Sequence, residues 1–336
     1  MFLRPAWIRN PVRGRPEMSS ALGRVLLCAV LAAGGAACGG DAGDEGTVRL
    51  YTSVTQDTVD AVVAGFAAAH PGLAVAVFRA PTGELAARIA SEQREGGLQA
   101  DVLWLTDPLS IQQYDRDGLL RAFTPAGIEN VPGGFRTGTF FGTRVLNLVI
   151  VAGDALEPAP RDWGDLAAIP GGVAIPDPGF AGSAFAALGY FALHPDFGVG
   201  FYDDLHDAGA EQVRSPGDVV AGVAEGVYAA GITLDRTVRD AVADGSPVQL
   251  IWPASGAIAV YSPIAVVTET GGDSAEEFVA YVIGEEGQRA IAATGWEPVH
   301  PAVEWPDAGA QQLVDWEQAF DRQEDLLDQY RAVFGE

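Results

Sequence analysis

The chain contains no lysine, so all 20 of its basic residues are arginine. Its 45 acidic residues outnumber them and give a formal net charge of −25. A surface this acidic repels phosphate backbones and anionic lipid head groups, which disfavours nucleic acid and the membrane surface as direct partners. The missing lysine, beside abundant alanine, glycine and arginine, indicates a compositional bias rather than a functional patch.

Cysteine is also scarce. The only two cysteines are Cys28 and Cys38, so the body of the chain has neither a disulfide framework nor a cysteine-based metal site. None of the four histidines forms a metal-spaced pair with another; they are His70, His194, His206 and His300. Phosphate-binding Walker loops, nucleophile elbows and dinucleotide fingerprints are missing as well. We therefore expect a binding protein without a cofactor or a bound metal, not an enzyme.

Long apolar runs are missing too, and the run at residues 25–33 is shorter than the ~20 residues that span a bilayer. Arg24 precedes it and small residues follow it, which is the pattern of a secretory signal. Cys38 directly after these small residues resembles the lipobox of bacterial lipoproteins. The resemblance implies a signal peptide over residues 1–37, lipid attachment at Cys38 and a flexible tether over 38–46. Gly35 stands where that motif usually has leucine, so a plain signal peptide is an alternative, and Met18 is an alternative start.

From residue 47 onward, strand-like and helix-like segments alternate. The first series of strand, helix, strand, helix and strand is predicted at Thr47–Ser53, Asp57–His70, Leu73–Phe78, Thr82–Glu95 and Asp101–Leu105. This order predicts an α/β fold with a mostly parallel sheet. Two β-rich segments, residues 136–152 and 257–268, are placed to cross between two lobes.

Further helices are predicted in the second half of the chain. Gly182–Leu193 and Asp235–Ala243 each follow a predicted strand. A capping box at Ser274–Glu277 predicts the start of a helix that runs toward Thr294. A last helix is predicted over Ala310–Phe334.

The ordered set of segments resembles the bacterial ABC-transporter solute-binding proteins of the ferric-iron, phosphonate and sugar-phosphate group. The segments that carry the resemblance are RLYTSVTQD, APTGELAARI, ADVLWL, IPDPGFAGSAF, EGVYAAGITLDR and FVAYVIGEEGQRAIAATGWEPV. The resemblance implies the type II periplasmic-binding-protein fold, in which two lobes, each a mixed sheet flanked by helices, are joined by two crossing strands. We place the first lobe at 47–144 and 262–300, the second at 145–261, and a C-terminal helical segment that packs on the lobes at 301–336.

The same resemblance implies a role in transport. The protein would be the exported solute-binding component of an ABC importer, a lipoprotein that faces the periplasm or the cell exterior. Its partners would be a small molecule and an ABC permease, with membrane contact only through the N-terminal lipid. We expect a monomer. Extracytoplasmic sensing or hydrolysis on the same fold is an alternative.

The resemblance also bears on the ligand. Iron binders of this group use two adjacent tyrosines after a strand of the second lobe, helped by an early histidine. In this chain Asp235, Arg236 and Thr237 stand where the tyrosine pair would be, and the residues of Ser53–Asp57 stand where the histidine would be. Ferric iron needs anionic oxygen ligands. We therefore expect a small organic anion, such as a phosphonate or a sugar phosphate, with or without an amine. Iron binding with atypical ligands is the alternative.

Candidate binding residues lie where predicted strands end and helices begin. Two predicted helices begin with such pairs, one with Thr82 and Gly83 and the other with Gly182 and Ser183. The free N–H groups of a helix start attract anionic oxygens. Ordinary helix capping explains these pairs equally well. Ser53 and Thr106 would add hydrogen bonds from strand ends. Asp235 would hold an amine and Arg236 an anion, the alternative being solvent exposure at a helix start.

Overall fold

The structure is a computed structural model, and it describes residues 46–170, 172–306 and 309–335. The predicted signal segment, Cys38 and all of the predicted tether except Gly46 lie outside the described residues. In the part of the chain that is described, none of the helices combines the length and the apolar character needed to cross a membrane.

Strands and helices alternate along the described chain. The strands are β1 (Thr47–Thr52), β2 (Ala74–Arg79), β3 (Val102–Trp104), β4 (Phe140–Gly153), β5 (Val173–Pro176), β6 (Glu211–Val213), β7 (Ala230–Leu234), β8 (Val248–Ile251), β9 (Ala257–Val266), β10 (Glu297–Pro298) and β11 (Gln311–Gln312). The α-helices are α1 (Gln56–Ala69), α2 (Thr82–Glu95), α3 (Pro108–Arg116), α4 (Gly182–Leu193), α5 (Gly200–Asp207), α6 (Pro216–Ala224), α7 (Asp235–Ala243), α8 (Asp273–Ile283), α9 (Glu285–Ala293), α10 (Trp316–Asp321) and α11 (Gln323–Phe334).

The sheet consists of two groups of parallel strands separated by a pair of antiparallel strands. Its order is β2-β1-β3-β9-β4-β7-β5-β6. In the first strand group, β1 pairs in parallel with β2 and β3. In the second strand group, β5 pairs in parallel with β6 and β7. The pair β4 and β9 joins the groups, since β9 is antiparallel to β3 and β4 is antiparallel to β7.

The two joining strands account for the β-rich segments of the sequence. Every residue of β9 is buried, and so is every residue of β4 except Gly153. Strands covered on both faces need continuous apolar sequence rather than alternation. The pairing of β4 with β9 shifts register between Gly142 and Val145, so the strand is irregular midway between the two strand groups. The prediction of two crossing strands is confirmed.

Two predictions about helices in the C-terminal third are wrong. The capping box does not form, because extended Gly272 occupies the N-cap and no side chain caps α8. The single helix predicted toward Thr294 is broken at Gly284, whose backbone is extended. Helix α9 then lies so close to the end of α8 that a Cβ on Gly287 would be 2.2 Å from the Tyr281 carbonyl oxygen. Only glycine permits this approach of two backbones.

The predicted last helix is also divided. Gln311 and Gln312 form β11, which pairs with β9. Helix α10 begins only at Trp316, where the Asp315 carboxylate accepts a hydrogen bond from the Gln318 N–H at 3.0 Å. This cap fixes the helix start, because it satisfies an N–H that has no partner within the helix.

The topology determines where functional side chains meet. Within each strand group the carboxyl ends of parallel strands lie at one edge, and the following helices begin there with free N–H groups. Helices α1, α2 and α3 follow the first strand group in this way, and α4 and α7 follow β5 and β7 of the second.

Candidate functional site

Three predicted residues of the first strand group form one hydroxyl cluster. Ser53, directly after β1, has its Oγ 3.1 Å from Thr106 Oγ1, which follows β3. Thr106 Oγ1 is also 3.3 Å from the Oγ1 of Thr82, the first residue of α2. We call Ser53, Thr82 and Thr106 the hydroxyl cluster. It joins the ends of three strands, because each of its members follows a different strand.

Gly182 brings α4 of the second strand group against this cluster. A Cβ on Gly182 would lie 2.8 Å from Thr106 Oγ1 and 2.9 Å from Thr82 Oγ1, which is too close for any side chain. A Cβ on Gly83 would similarly lie 2.5 Å from the carbonyl oxygen of Gly179. The first turns of α2 and α4 are therefore in direct contact, and Ser183 beside Gly182 is buried.

Asp107 also lies at this contact, and sequence reasoning missed it. Its carboxylate is fully buried and accepts hydrogen bonds from the Ser110 N–H at 2.7 Å and the Ser110 hydroxyl at 3.0 Å. Its Oδ2 lies 2.5 Å from the position that a Cβ would take on Gly182. Burial raises the pKa of Asp107 to about 6, although the hydrogen bonds from Ser110 and Leu109 oppose the rise. The N-terminus of α4 thus already faces a carboxyl group of the protein.

Asp235 has partners of its own at the start of α7. Its carboxylate is buried and accepts a hydrogen bond from Arg239 Nη2 at 3.1 Å, one turn along the same helix. The N–H groups of Arg236 and Asn147 also bond to it. Burial raises the pKa of Asp235, and the charge of Arg239 works against that rise. The side chain is therefore engaged by protein donors.

Arg236 connects the two strand groups. Its Nη2 lies 2.7 Å from Asp57 Oδ2, in the first turn of α1, and its Nε lies 3.0 Å from Asp240 Oδ2. Arg236 itself is largely covered, with 18% of its side chain exposed, and its Cζ lies 5.4 Å from the ring centroid of Trp296. Since α1 follows the first strand group and α7 the second, this ion pair links them.

Arg144 is a second residue that sequence reasoning missed. It lies in β4 at the shift of register, is fully buried, and stacks on Trp296 with its Cζ 4.4 Å from the ring centroid. Its Nη1 donates only a long hydrogen bond of 3.4 Å to Thr58 Oγ1. Among the described residues its Nε and Nη2 have no partner. Burial lowers the pKa of Arg144 to about 9; nearby Asp57 raises it and nearby Arg236 lowers it further.

A third contact between the strand groups involves Arg214, which follows β6. Its Nη2 lies 3.0 Å from Glu84 Oε1 in the first turn of α2, and its Cζ lies 4.1 Å from the ring centroid of Phe180. Both charged side chains are more than half exposed, so the pair adds little stability. It does, however, connect the first turn of α2 with the segment between β6 and α6 of the second strand group.

The described residues contain no group of three or more histidine, cysteine, aspartate or glutamate side chains arranged to hold a metal ion. Arg236 occupies the start of α7, and a guanidinium there makes the position unfavourable for a bound cation.

Several solved structures are similar to this one. Iron-bound HitA from Pseudomonas aeruginosa superposes with a TM-score of 0.75 at 18% identity, over 86% of this chain and 99% of that chain. AfuA from Actinobacillus pleuropneumoniae, a periplasmic binding protein with fructose 6-phosphate bound, gives 0.75 at 19% identity over 86% and 99%. The substrate-binding protein of an ABC transporter from Agrobacterium tumefaciens gives 0.76 at 16% identity over 86% and 94%. The fold is therefore the two-lobed type II periplasmic-binding-protein fold.

No curated protein sequence matches the chain. The family model described as bacterial extracellular solute-binding protein matches residues 48–297, which is most of the chain. The chain therefore belongs to the bacterial extracellular solute-binding protein family, so it is an exported solute-binding protein and not an enzyme.

Proposed function

We propose that the protein captures a small organic anion in the cleft between its two lobes and delivers it to an ABC permease. The observation that carries the proposal is the meeting of the hydroxyl cluster with Gly182, since it brings helix starts from both strand groups to one place. Polar groups held by rigid elements of two lobes are what a closing cleft needs to recognise a small solute.

The contacts between the strand groups support closure over the solute. Two ion pairs, Arg236 with Asp57 and Arg214 with Glu84, connect helix starts on opposite sides. Each can form only while the lobes are together, so the largely covered pair of Arg236 with Asp57 stabilises the closed form, whereas the exposed pair of Arg214 with Glu84 adds little. We place the lobes at 47–144 with 262–300 and at 145–261, with residues 301–336 packing on them as a helical segment.

Each residue of the candidate site would contact a different part of the solute. Ser53, Thr82 and Thr106 would bind oxygen atoms of the solute, with Gly83, Gly182 and Ser183 supplying backbone N–H groups and close approach. Asp107 beside Gly182 makes this wall better suited to hydroxyl groups than to a negative charge at neutral pH. Asp235 would bind an amine only if Arg239 moved away, which favours solutes without an amine.

Related structures are compatible with more than one solute. HitA has iron bound, and AfuA has fructose 6-phosphate bound. The guanidinium of Arg236 at the start of α7 favours the organic anion for this chain. We further propose that Cys38 carries the lipid that anchors the protein, which acts as a monomer, to the outer face of the cell membrane.

A thermal-shift panel tests the proposal. Ligand at 100 times its dissociation constant stabilises a protein by about 2.7 kcal/mol, which corresponds to roughly 5 °C for a chain of this size. We expect a shift of this order with one class among phosphonates, sugar phosphates and hydroxycarboxylates. Fructose and simple amines serve as uncharged and cationic controls. A shift with ferric iron alone would establish the iron alternative, and no shift with any member would refute capture of an organic anion.

A further inference from the structure

Arg144 is the only charged residue in the sequence of β4, and it has too few partners for a buried cation. Its guanidinium offers five N–H donors, yet within the described part of the chain its one hydrogen bond is the 3.4 Å contact with Thr58. The Nε and Nη2 atoms are buried and have no partner within the described residues. Stability alone disfavours such a group, because a buried charge is costly unless it is paired and hydrogen-bonded.

Among the described residues, no carboxylate is paired with Arg144 itself. The charge of Asp57 favours the protonated form of Arg144, but the carboxylate of Asp57 lies 2.7 Å from Arg236 Nη2. Two guanidiniums, Arg144 and Arg236, therefore share one carboxylate beside the ring of Trp296. Asp240 also contacts Arg236, but more than half of its side chain is exposed, so solvent screens its charge. The Nε1 of Trp296 is a further buried donor without a partner among the described residues.

We infer that Arg144, with Arg236 and Trp296, binds the anionic group of the solute. This inference rests on the proposed function and assigns the charged end of its ligand. A guanidinium fork binds the oxygens of a carboxylate, phosphate or phosphonate in a bidentate manner, and partly buried donors strengthen that contact. Thr58 lies at the start of α1, where the helix dipole also favours negative charge.

The location agrees with the charges elsewhere in the cleft. At the contact of α2 with α4, Asp107 already faces the N-terminus of α4, so a second negative charge there meets a like charge. The β1–α1 turn connects the two places, because it begins with Ser53 of the hydroxyl cluster and leads to Asp57. The arrangement therefore fits an oxyanion that also carries hydroxyl groups, with its charge at Arg144 and its hydroxyls toward Thr82 and Thr106.

Titration calorimetry on Arg144→Met tests the inference. Methionine retains length and apolar volume but removes the charge and all donors. We expect the affinity for a phosphorylated or carboxylated solute that binds the wild type to fall by a factor on the order of 100. Inorganic phosphate, as the head group alone, should bind the wild type weakly and the variant not measurably. Arg331→Met, on the exposed face of α11, is the matched control and should bind as the wild type does.

The outcomes separate the two claims. Equal affinity of wild type and Arg144→Met for the same anion would overturn this inference and leave the proposed function intact. Failure of the wild type to bind any organic anion would overturn both. Arg144→Lys guards against a folding defect: it keeps the charge but loses the planar fork, so we expect binding that is about tenfold weaker. If Arg144→Lys binds the anion as tightly as the wild type and folded Arg144→Met does not bind it, the result still supports a contact between the anion and the charge at this position. If both variants bind the anion as tightly as the wild type, the result contradicts that contact.

Discussion

The buried carboxyl group of Asp107 makes a quantitative prediction about stability and pH. Its pKa rises from 3.8 to about 6 in the folded protein because the side chain is fully buried. A raised carboxyl pKa means that the folded state binds the proton more tightly than the unfolded state. The resulting stabilisation is complete below pH 4 and is lost as the pH rises through 6. At about 1.4 kcal/mol for each pH unit, Asp107 alone lowers the free energy of unfolding by roughly 3 kcal/mol between pH 4 and pH 7.

The variant Asp107→Asn isolates this contribution. Asparagine is uncharged at every pH, and its amide oxygen still accepts the hydrogen bond from the Ser110 N–H, which is 2.7 Å long in the wild type. We expect the variant to be close to the wild type in stability at pH 4 and to become more stable than it by roughly 3 kcal/mol at pH 7, less the loss of charge-assisted hydrogen bonds.

Urea unfolding at half-unit steps from pH 4 to pH 8, followed by circular dichroism, measures the difference. Asp328→Asn, at an exposed position of α11, controls for the loss of one negative charge from an acidic protein. The reasoning is refuted if the difference between Asp107→Asn and wild type is the same at every pH, or if the variant loses stability as the pH rises.

Three further predictions concern the cleft and the anchor. Gly182→Ala places a Cβ within 3 Å of the hydroxyl oxygens of Thr82 and Thr106, so the thermal shift with an organic anion should fall by at least half. The control Gly164→Ala, which has open space around the new Cβ, should give the thermal shift of the wild type. Equal thermal shifts in the two variants would contradict the close packing around Gly182. Arg214→Gln removes an exposed ion pair between the strand groups, so solute affinity measured by calorimetry should fall by no more than about fivefold, and a larger loss would show direct contact with solute. Cys38→Ser should release the exported protein from the membrane fraction, and retention there would contradict lipid attachment at this residue.

Much of the fold could be predicted because its local signals agree with its packing. Helices α2, α4 and α7 begin and end at the residues predicted from the sequence. Strands β4 and β9 are buried on both faces, and their mostly apolar sequence gives a clear signal.

The errors arose where tertiary contacts overrule local pattern. A capping box at Ser274–Glu277 satisfies every local rule, but the helix begins after extended Gly272, next to Gly271, where a Cβ would lie 2.2 Å from Val266 Cγ1. The C-terminal segment has helical composition, yet pairing of β11 with β9 takes its first residues into the sheet. Neither contact has a signature in the nearby sequence.

The site was predicted only in part for a related reason. The hydroxyl cluster follows from strand ends, which sequence can place. Arg144 was missed because one arginine inside an apolar strand does not change the strand prediction, and Asp107 was missed because an aspartate before proline is typical of a simple helix cap. In each case burial gives the side chain its significance, and burial depends on the assembled fold. A charged residue within an otherwise apolar crossing strand is the signal that would have identified Arg144.

Calorimetric titration with a matched pair of solutes, fructose 6-phosphate and fructose, tests most directly whether the protein captures an organic anion. The two differ only in the phosphate, so their affinity ratio measures what the negative charge contributes. We predict that the phosphate ester or a comparable hydroxylated anion binds at least 100-fold more tightly than its uncharged parent. Equal affinity for the two members of the pair, or binding confined to ferric iron, would contradict it.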